Sequence, residues 1–210
     1  MNTPRFPIHF IGAGPGAEDL ITERGAALLK EADVVVYAGS LVNPGHLKRC
    51  RPEAELHDSA RMNLEEQVEV MARGVLEGKR VVRLHTGDPS MYGAVAEQFD
   101  LLDKKGIESI VVPGVSSVFA AAAALRTELT YPGLAQSLVL TRTPGRTPMP
   151  AGETCEAFAK TGATLAFFLS AGKLDELAAR LVSAGKSPDT AAAEVYRATW
   201  PDEKIIRGTL

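Results

Sequence analysis

RLHTGDPSMYG, Arg83 to Gly93, is the stretch that decides the fold. It follows the apolar pair Val81-Val82, so it reads as a strand ending in a Gly-Asp-Pro turn that hands over to a helix. Gly87 allows close approach of backbone to backbone, and Pro89 fixes the turn and suits the first residues of a helix. A turn of this kind at the carboxyl end of a parallel strand is where open α/β sheets place their ligands. Two further loops have the same character: GAGPGAEDL, Gly12 to Leu20, and VVPGVSS, Val111 to Ser117.

Outward from these loops, short apolar runs alternate with helical patterns. Strands are expected at Ile8–Ile11, Val34–Tyr37, Arg80–Leu84 and Ile107–Val112, and helices at Thr22–Ala32 and Ala94–Lys105. The clearest helix is Leu64–Glu77: Leu64, Val68, Met71, Val75 and Leu76 share one face, and Asn63 with Glu66 forms a capping-box pair. Such alternation predicts a first α/β domain, residues 1–112, with a mainly parallel sheet flanked by helices. From residue 113 to 210 the pattern changes. An Ala-rich helix over Val115–Leu125 precedes a Pro- and Gly-rich tract, a strand at Ser137–Thr141 and the basic loop TRTPGRTPMP. A strand at Leu165–Leu169, a helix at Lys173–Val182 and a hairpin joining Ala191–Tyr196 to Glu203–Gly208 across Trp200-Pro201-Asp202 complete a second α/β domain with a mixed sheet.

The 210 residues carry a net charge of −3, with 45% hydrophobic and 23% charged side chains. That balance is ordinary for a globular protein and gives no bulk electrostatic support for nucleic-acid binding. Cys50 and Cys155 stand in no CxxC pattern and read as two reduced thiols. No secretory leader is evident, and the apolar run Val118–Leu125 is too short to span a bilayer, so a cytoplasmic protein without a membrane partner is expected.

GAGPGA satisfies the loose dinucleotide pattern through Gly12, Gly14 and Ala17. Glu18 and Asp19 then follow, putting negative charge where a pyrophosphate would dock, and no acid ends the second strand to hold a ribose. A plain strand-to-helix turn is the alternative. His85, just past a strand end, could face a cleft and touch a polar substrate; it has no companions at metal-ligand spacing, and no metal site is expected. Hydrolase, zincin and P-loop patterns are absent from the sequence. Arg142 and Arg146 bracket Pro144-Gly145, and the planar guanidinium suits bidentate anion binding, so the pair is a candidate carboxylate clamp against the alternative of a solvated basic loop. Arg61, Arg83 and Arg197 are weaker candidates for the same task, and Trp200 reads equally well as core.

Five blocks in order, GAGPG…DLIT, VVVYAGSLV, VVRLHTGDPSMYG, VVPGVSS and VYRATWPDEKIIRGTL, resemble the tetrapyrrole (corrin/porphyrin) methylases across nearly the whole chain. The variants YAGSLV, HTGDPSMYG, LTRTPGRTP and YRATWPDE look most like the branch acting in cobalamin biosynthesis. The resemblance implies two α/β domains with a ligand cleft between them, S-adenosylmethionine as methyl donor, S-adenosylhomocysteine as product, a small tetrapyrrole substrate and a homodimer. Carried over residue by residue, the family's cofactor positions fall on Pro15, Gly87, Asp88, Met91, Ser116, Ser117, Leu169 and Ala198. Substrate carboxylates would then fall to Arg61, His85, Arg142 and Arg146.

Two departures from the family stand out. Members that methylate uroporphyrinogen carry an acid after the VVVY strand and a lysine after the next one, where this chain has Ala38 and Ser59. No catalytic acid–base residue is therefore assigned. Relatives also run on past GTL, so the last helix and strand of the family are expected to be missing here. The rival readings are a non-catalytic nucleotide-binding module, another tetrapyrrole ring position, and a diphthine-synthase-like enzyme acting on a protein.

Overall fold

The apolar runs of the first half pair side by side in the computed structural model, which describes residues 5–145 and 147–210. Strands β1 (Ile8–Gly12), β2 (Val34–Tyr37), β3 (Glu55–Asp58), β4 (Val81–His85) and β5 (Ser109–Val112) form one parallel sheet in the order β3-β2-β4-β1-β5. The inner strands are nearly all apolar because helices cover both faces. On one face Ile11, Val35, Val82 and Leu84 pack with Leu29 of α1 (Glu23–Glu31). On the other, Ile8, Phe10, Val34 and Val36 pack with Met71 of α2 (Leu64–Leu76) and Leu102 of α3 (Ala96–Lys104). The chain leaves β1 toward β2 by way of α1, and leaves β4 toward β5 by way of α3. Adjacent β1 and β4 are thus the point where the connections diverge, and the carboxyl ends there form the crevice of an open α/β sheet.

Local sequence explains the helix starts. Thr22 Oγ1 accepts from the Gly25 N–H at 3.2 Å. The capping box at α2 is complete, with Asn63 Oδ1 accepting from the Glu66 N–H and Glu66 Oε2 accepting from the Asn63 N–H, both at 2.9 Å. The helix expected over Ala94–Lys105 runs over Ala96–Lys104, starting two residues late. Tyr92 and Ala94 hold left-handed φ angles of 55° and 48°, which no α-helix accommodates.

The first compact unit extends from the first described residues to Ala120 and takes in Arg197–Pro201. The expected boundary near residue 112 therefore falls inside it, and the reason is local: the Gly114 N–H donates to Asp88 Oδ2 at 2.9 Å, tying the residues after β5 to the β4 loop. Helix α4 (Ser117–Leu125) runs across the change of unit. In the second unit, β6 (Leu138–Arg142) and β7 (Thr164–Phe168) pair in parallel. Cys155 and Ala159 of α5 (Cys155–Ala159) pack with Leu177 and Leu181 of α6 (Leu174–Ser183). The hairpin of β8 (Ala191–Tyr196) and β9 (Lys204–Thr209) is antiparallel, Ala191 opposite Thr209. Parallel and antiparallel pairing both occur in this unit, among the described residues as two separate two-stranded ladders. Cys50 and Cys155 are free thiols, and burial pushes both pKa values up.

Candidate cofactor site

Three loops meet above the neighbouring strands β4, β1 and β5. Gly14 and Gly87 exchange backbone hydrogen bonds, N–H to carbonyl, at 3.2 and 2.8 Å, and the Ala13 N–H donates to the His85 carbonyl at 2.7 Å. Backbone is packed on backbone here. A Cβ on Gly12 would stand 2.6 Å from Gly114 Cα, and a Cβ on Gly114 would strike the Gly87 carbonyl and lie 2.7 Å from Gly12 Cα. Gly87 itself has φ +58° and lies against Ser116 Cα and the Ser117 N–H, its missing Cβ 3.8 Å from each. Pro15, Gly87 and Ser116 are buried, Met91 is half-buried and Ser117 is exposed.

Asp88 locks the junction. Its Oδ2 accepts from the Gly114 N–H, and its Oδ1 accepts from both the Ser90 N–H, at 2.8 Å, and the Ser90 hydroxyl. Burial pulls this carboxyl's pKa up, but the three donors outweigh it and hold the group below its ordinary value. Asp88 is therefore ionised at neutral pH.

A distant piece of chain returns to the same place. Thr199 Oγ1 accepts from the Ala17 N–H at 2.9 Å, and Trp200 Nε1–H donates to the Pro15 carbonyl at 3.0 Å. The Arg197 guanidinium stacks over the Trp200 ring at 4.0 Å, and a Cβ on Gly16 would collide with that ring. Ala198, between these anchors, is buried. Trp200 thus clamps the β1 loop, a role that its sequence context did not disclose.

Backbone strain marks the same residues. The described non-glycine residues with left-handed φ are Tyr92, Ala94, Arg126, Leu169, Arg197 and Thr199. Apart from Arg126, each lies within three positions of Met91, Leu169 or Ala198, or is one of them. Such strain persists where surrounding structure over-determines it, and it gathers at ligand sites. Leu169 belongs to the second unit and leaves three-quarters of its area exposed despite being a leucine. The buried Ser170 hydroxyl beside it donates to the Phe168 carbonyl at 2.7 Å and accepts from the Thr143 N–H at 3.0 Å. Of the eight positions expected to hold the cofactor, seven lie in the first unit on four neighbouring segments, and Leu169 lies in the second.

The residues expected to hold substrate carboxylates are placed differently. His85 is the last residue of β4, not a loop residue, and is only 4% exposed, its ring stacked on Phe10 at 6.0 Å. Burial, with the Arg83 guanidinium adding to it, pushes its pKa down to about 3, so it offers no positive charge. Strand parity explains this: His85, Arg83 and Phe10 share the face covered by α2 and α3. Arg142 donates to the carbonyls of Thr143, Thr147 and Pro148 at 3.1–3.3 Å and so braces its own loop. Arg61 lies on an open groove of about 670 Å³ together with Glu65, Glu66 and Glu69, a mostly acidic setting for a carboxylate. Arg146 lies outside the described residues.

Comparison with known proteins agrees with this geometry. Residues 7–210 match the family described as Tetrapyrrole (Corrin/Porphyrin) Methylases. The chain is 51% identical over 200 residues to the cobalt-precorrin-4 C(11)-methyltransferase of Methanocaldococcus jannaschii, covering 95% of this chain and 77% of the relative. Its structure resembles the X-ray structure of a cobalt precorrin-4 methyltransferase, with a TM-score of 0.93 at 51% identity over 96% of this chain and 84% of the other. It also resembles uroporphyrin-III C-methyltransferase from Thermus thermophilus complexed with S-adenosylhomocysteine, with a TM-score of 0.82 at 29% identity over 97% and 83% of the two chains. With five sequence blocks, the looped crevice and these matches in agreement, the chain belongs to the tetrapyrrole (corrin/porphyrin) methylases.

Proposed function

We propose that this protein transfers a methyl group from S-adenosylmethionine to C11 of precorrin-4, in its cobalt-bearing or cobalt-free form, during cobalamin biosynthesis. The observation that carries this reading is 51% identity over 95% of the chain to an enzyme of that name. The variants YAGSLV, HTGDPSMYG and YRATWPDE support it, since they look most like precorrin-4 C11-methyltransferases. Pro15, Gly87, Asp88, Met91, Ser116, Ser117, Leu169 and Ala198 are proposed to hold the cofactor. Their chemistry fits a nucleoside joined to a charged amino acid: small residues at Gly87 and Ala198 that leave room for backbone contacts, hydroxyls at two serines, apolar walls at Met91 and Leu169, and an ionised carboxylate at Asp88.

When bound, S-adenosylmethionine supplies an electrophilic methyl group carried on a sulfonium. The chain's own contribution is to bind, orient and exclude water. Fixing both reactants in register is worth up to roughly 10 kcal/mol of barrier, and a dry site favours the dispersal of positive charge that accompanies transfer. With Ala38 and Ser59 where uroporphyrinogen-methylating members carry an acid and a lysine, no side chain is assigned to proton removal. Arg61 and Arg142 remain the proposed contacts for substrate carboxylates, Arg142 by way of the loop it braces. A homodimer working in the cytoplasm completes the reading, on family resemblance; among the described residues no helix is long and apolar enough to cross a membrane.

The test is calorimetric titration with S-adenosylhomocysteine and, in parallel, NADPH. Micromolar binding of the first alone is expected. Binding of NADPH alone would replace the proposal with a nucleotide-binding module.

A further inference from the structure

Arg83 sits inside the first unit, 5% exposed, on the central strand β4. Burial lowers its pKa to about 10, so it remains a cation at neutral pH. Among the described residues it has no ion-pair partner, and its acceptors are all neutral: the Val36 and Leu84 carbonyls at 3.2 and 3.4 Å, Gln67 Oε1 at 3.2 Å and Gln98 Oε1 at 3.3 Å. A buried guanidinium can only donate. Gln98, itself 3% exposed, must therefore turn its oxygen toward Arg83, which leaves its amide N–H₂ pointing the other way. That group donates to the Ala94 carbonyl at 3.1 Å.

Ala94 closes the strained segment. Tyr92 and Ala94 both hold left-handed φ, with Gly93 between them so tightly set that a Cβ would strike the Pro89 carbonyl. Each left-handed non-glycine residue costs roughly 1–3 kcal/mol and needs outside contacts to persist. The Met91 N–H, donating to the Asp88 carbonyl at 3.1 Å, ties the front of the segment, and Gln98 ties the back.

We propose that Arg83 and Gln98 are positioning residues: together they hold the Met91–Ala94 turn, with Tyr92 and Ala94 left-handed, in place and thereby set the affinity for S-adenosylmethionine. The proposal rests on the reading of Met91 as a cofactor contact. It explains why a cation stands in the core without a carboxylate, since a carboxylate in place of the Gln98 amide would satisfy Arg83 and leave Ala94 without a donor.

Gln98→Glu separates the two roles. The carboxylate still accepts from Arg83, more strongly than the amide does, but has no N–H for Ala94. The expected result is a thermal midpoint equal to or above wild type, faster amide exchange across Met91–Ala94 in the unliganded protein, and S-adenosylhomocysteine binding weaker by roughly five- to tenfold. The KM for S-adenosylmethionine should rise more than kcat falls. A folded Gln98→Glu protein that binds as tightly as wild type would overturn the proposal. Ala94→Gly, on an exposed loop, keeps the carbonyl and its hydrogen bond and serves if Gln98→Glu does not fold. It should bind like wild type, and a loss as large as that expected for Gln98→Glu would also overturn the proposal. Failure of wild type itself to bind would instead sink the assignment of the cofactor site, and this inference with it.

Discussion

His85 shows what strand parity does to a side chain whose place in sequence suggests a cleft. Two positions after Arg83, it points to the same helix-covered face, where burial and the neighbouring cation keep it neutral. Its pKa falls from 6.5 in the unfolded chain to about 3 in the folded one. Below pH 6.5 the unfolded chain thus takes up a proton that the folded chain refuses, and stability declines as pH drops toward 3. The slope from this one group is up to about 1.4 kcal/mol per pH unit. His46, buried and also lowered in pKa, acts with the same sign. Urea denaturation at pH 7 and pH 5 should therefore show a smaller loss for His85→Asn than for wild type; an equal loss would remove His85 from the account. The alternation that buries Arg83 and His85 was present in the sequence, but both residue types are usually exposed, and the apolar run Val81-Val82 gave no sign that the strand's polar positions were covered as well.

Among the elements, the long amphipathic helix and the apolar strands were legible because burial on one or both faces writes a period into the sequence. The edge strand β3 was not, since Glu55-Leu56-His57-Asp58 is half-polar and carries no such period. The start of α3 falls two residues later than expected because Tyr92 and Ala94 take left-handed φ, which their residue types do not announce. Two predictions belong at this scale. Asn63→Ala breaks the capping box and should cost about 1 kcal/mol, lowering the thermal midpoint by roughly 2–4 °C for a chain of this size. Gly114→Ala forces a Cβ into the Gly12 and Gly87 backbones. The variant should fold but lose at least about tenfold in S-adenosylhomocysteine affinity, the equivalent of roughly 1.4 kcal/mol, as read by calorimetry; unchanged affinity would mean that the three-loop junction does not shape the site.

For the molecule as a whole, fold class and the three loops that meet above the sheet were readable because each loop carries glycines that close backbone contact requires. What could not be read was the return of Arg197–Pro201 to the β1 loop, a contact between residues more than 180 positions apart. Trp200→Phe keeps an aromatic ring, smaller than the indole, but loses the donor to Pro15; it should weaken S-adenosylhomocysteine binding at least several-fold, the size of one net hydrogen bond, while leaving the secondary structure intact by circular dichroism. The central claim is the reaction itself. It is tested most directly by incubating the purified protein with precorrin-4, cobalt-bearing and cobalt-free, and S-adenosylmethionine labelled in its methyl carbon, then locating the label in the product by NMR. The account predicts a single labelled methyl group at C11 with at least one of the two substrates. Label at another ring carbon, or no transfer by a protein that binds S-adenosylhomocysteine, would contradict it.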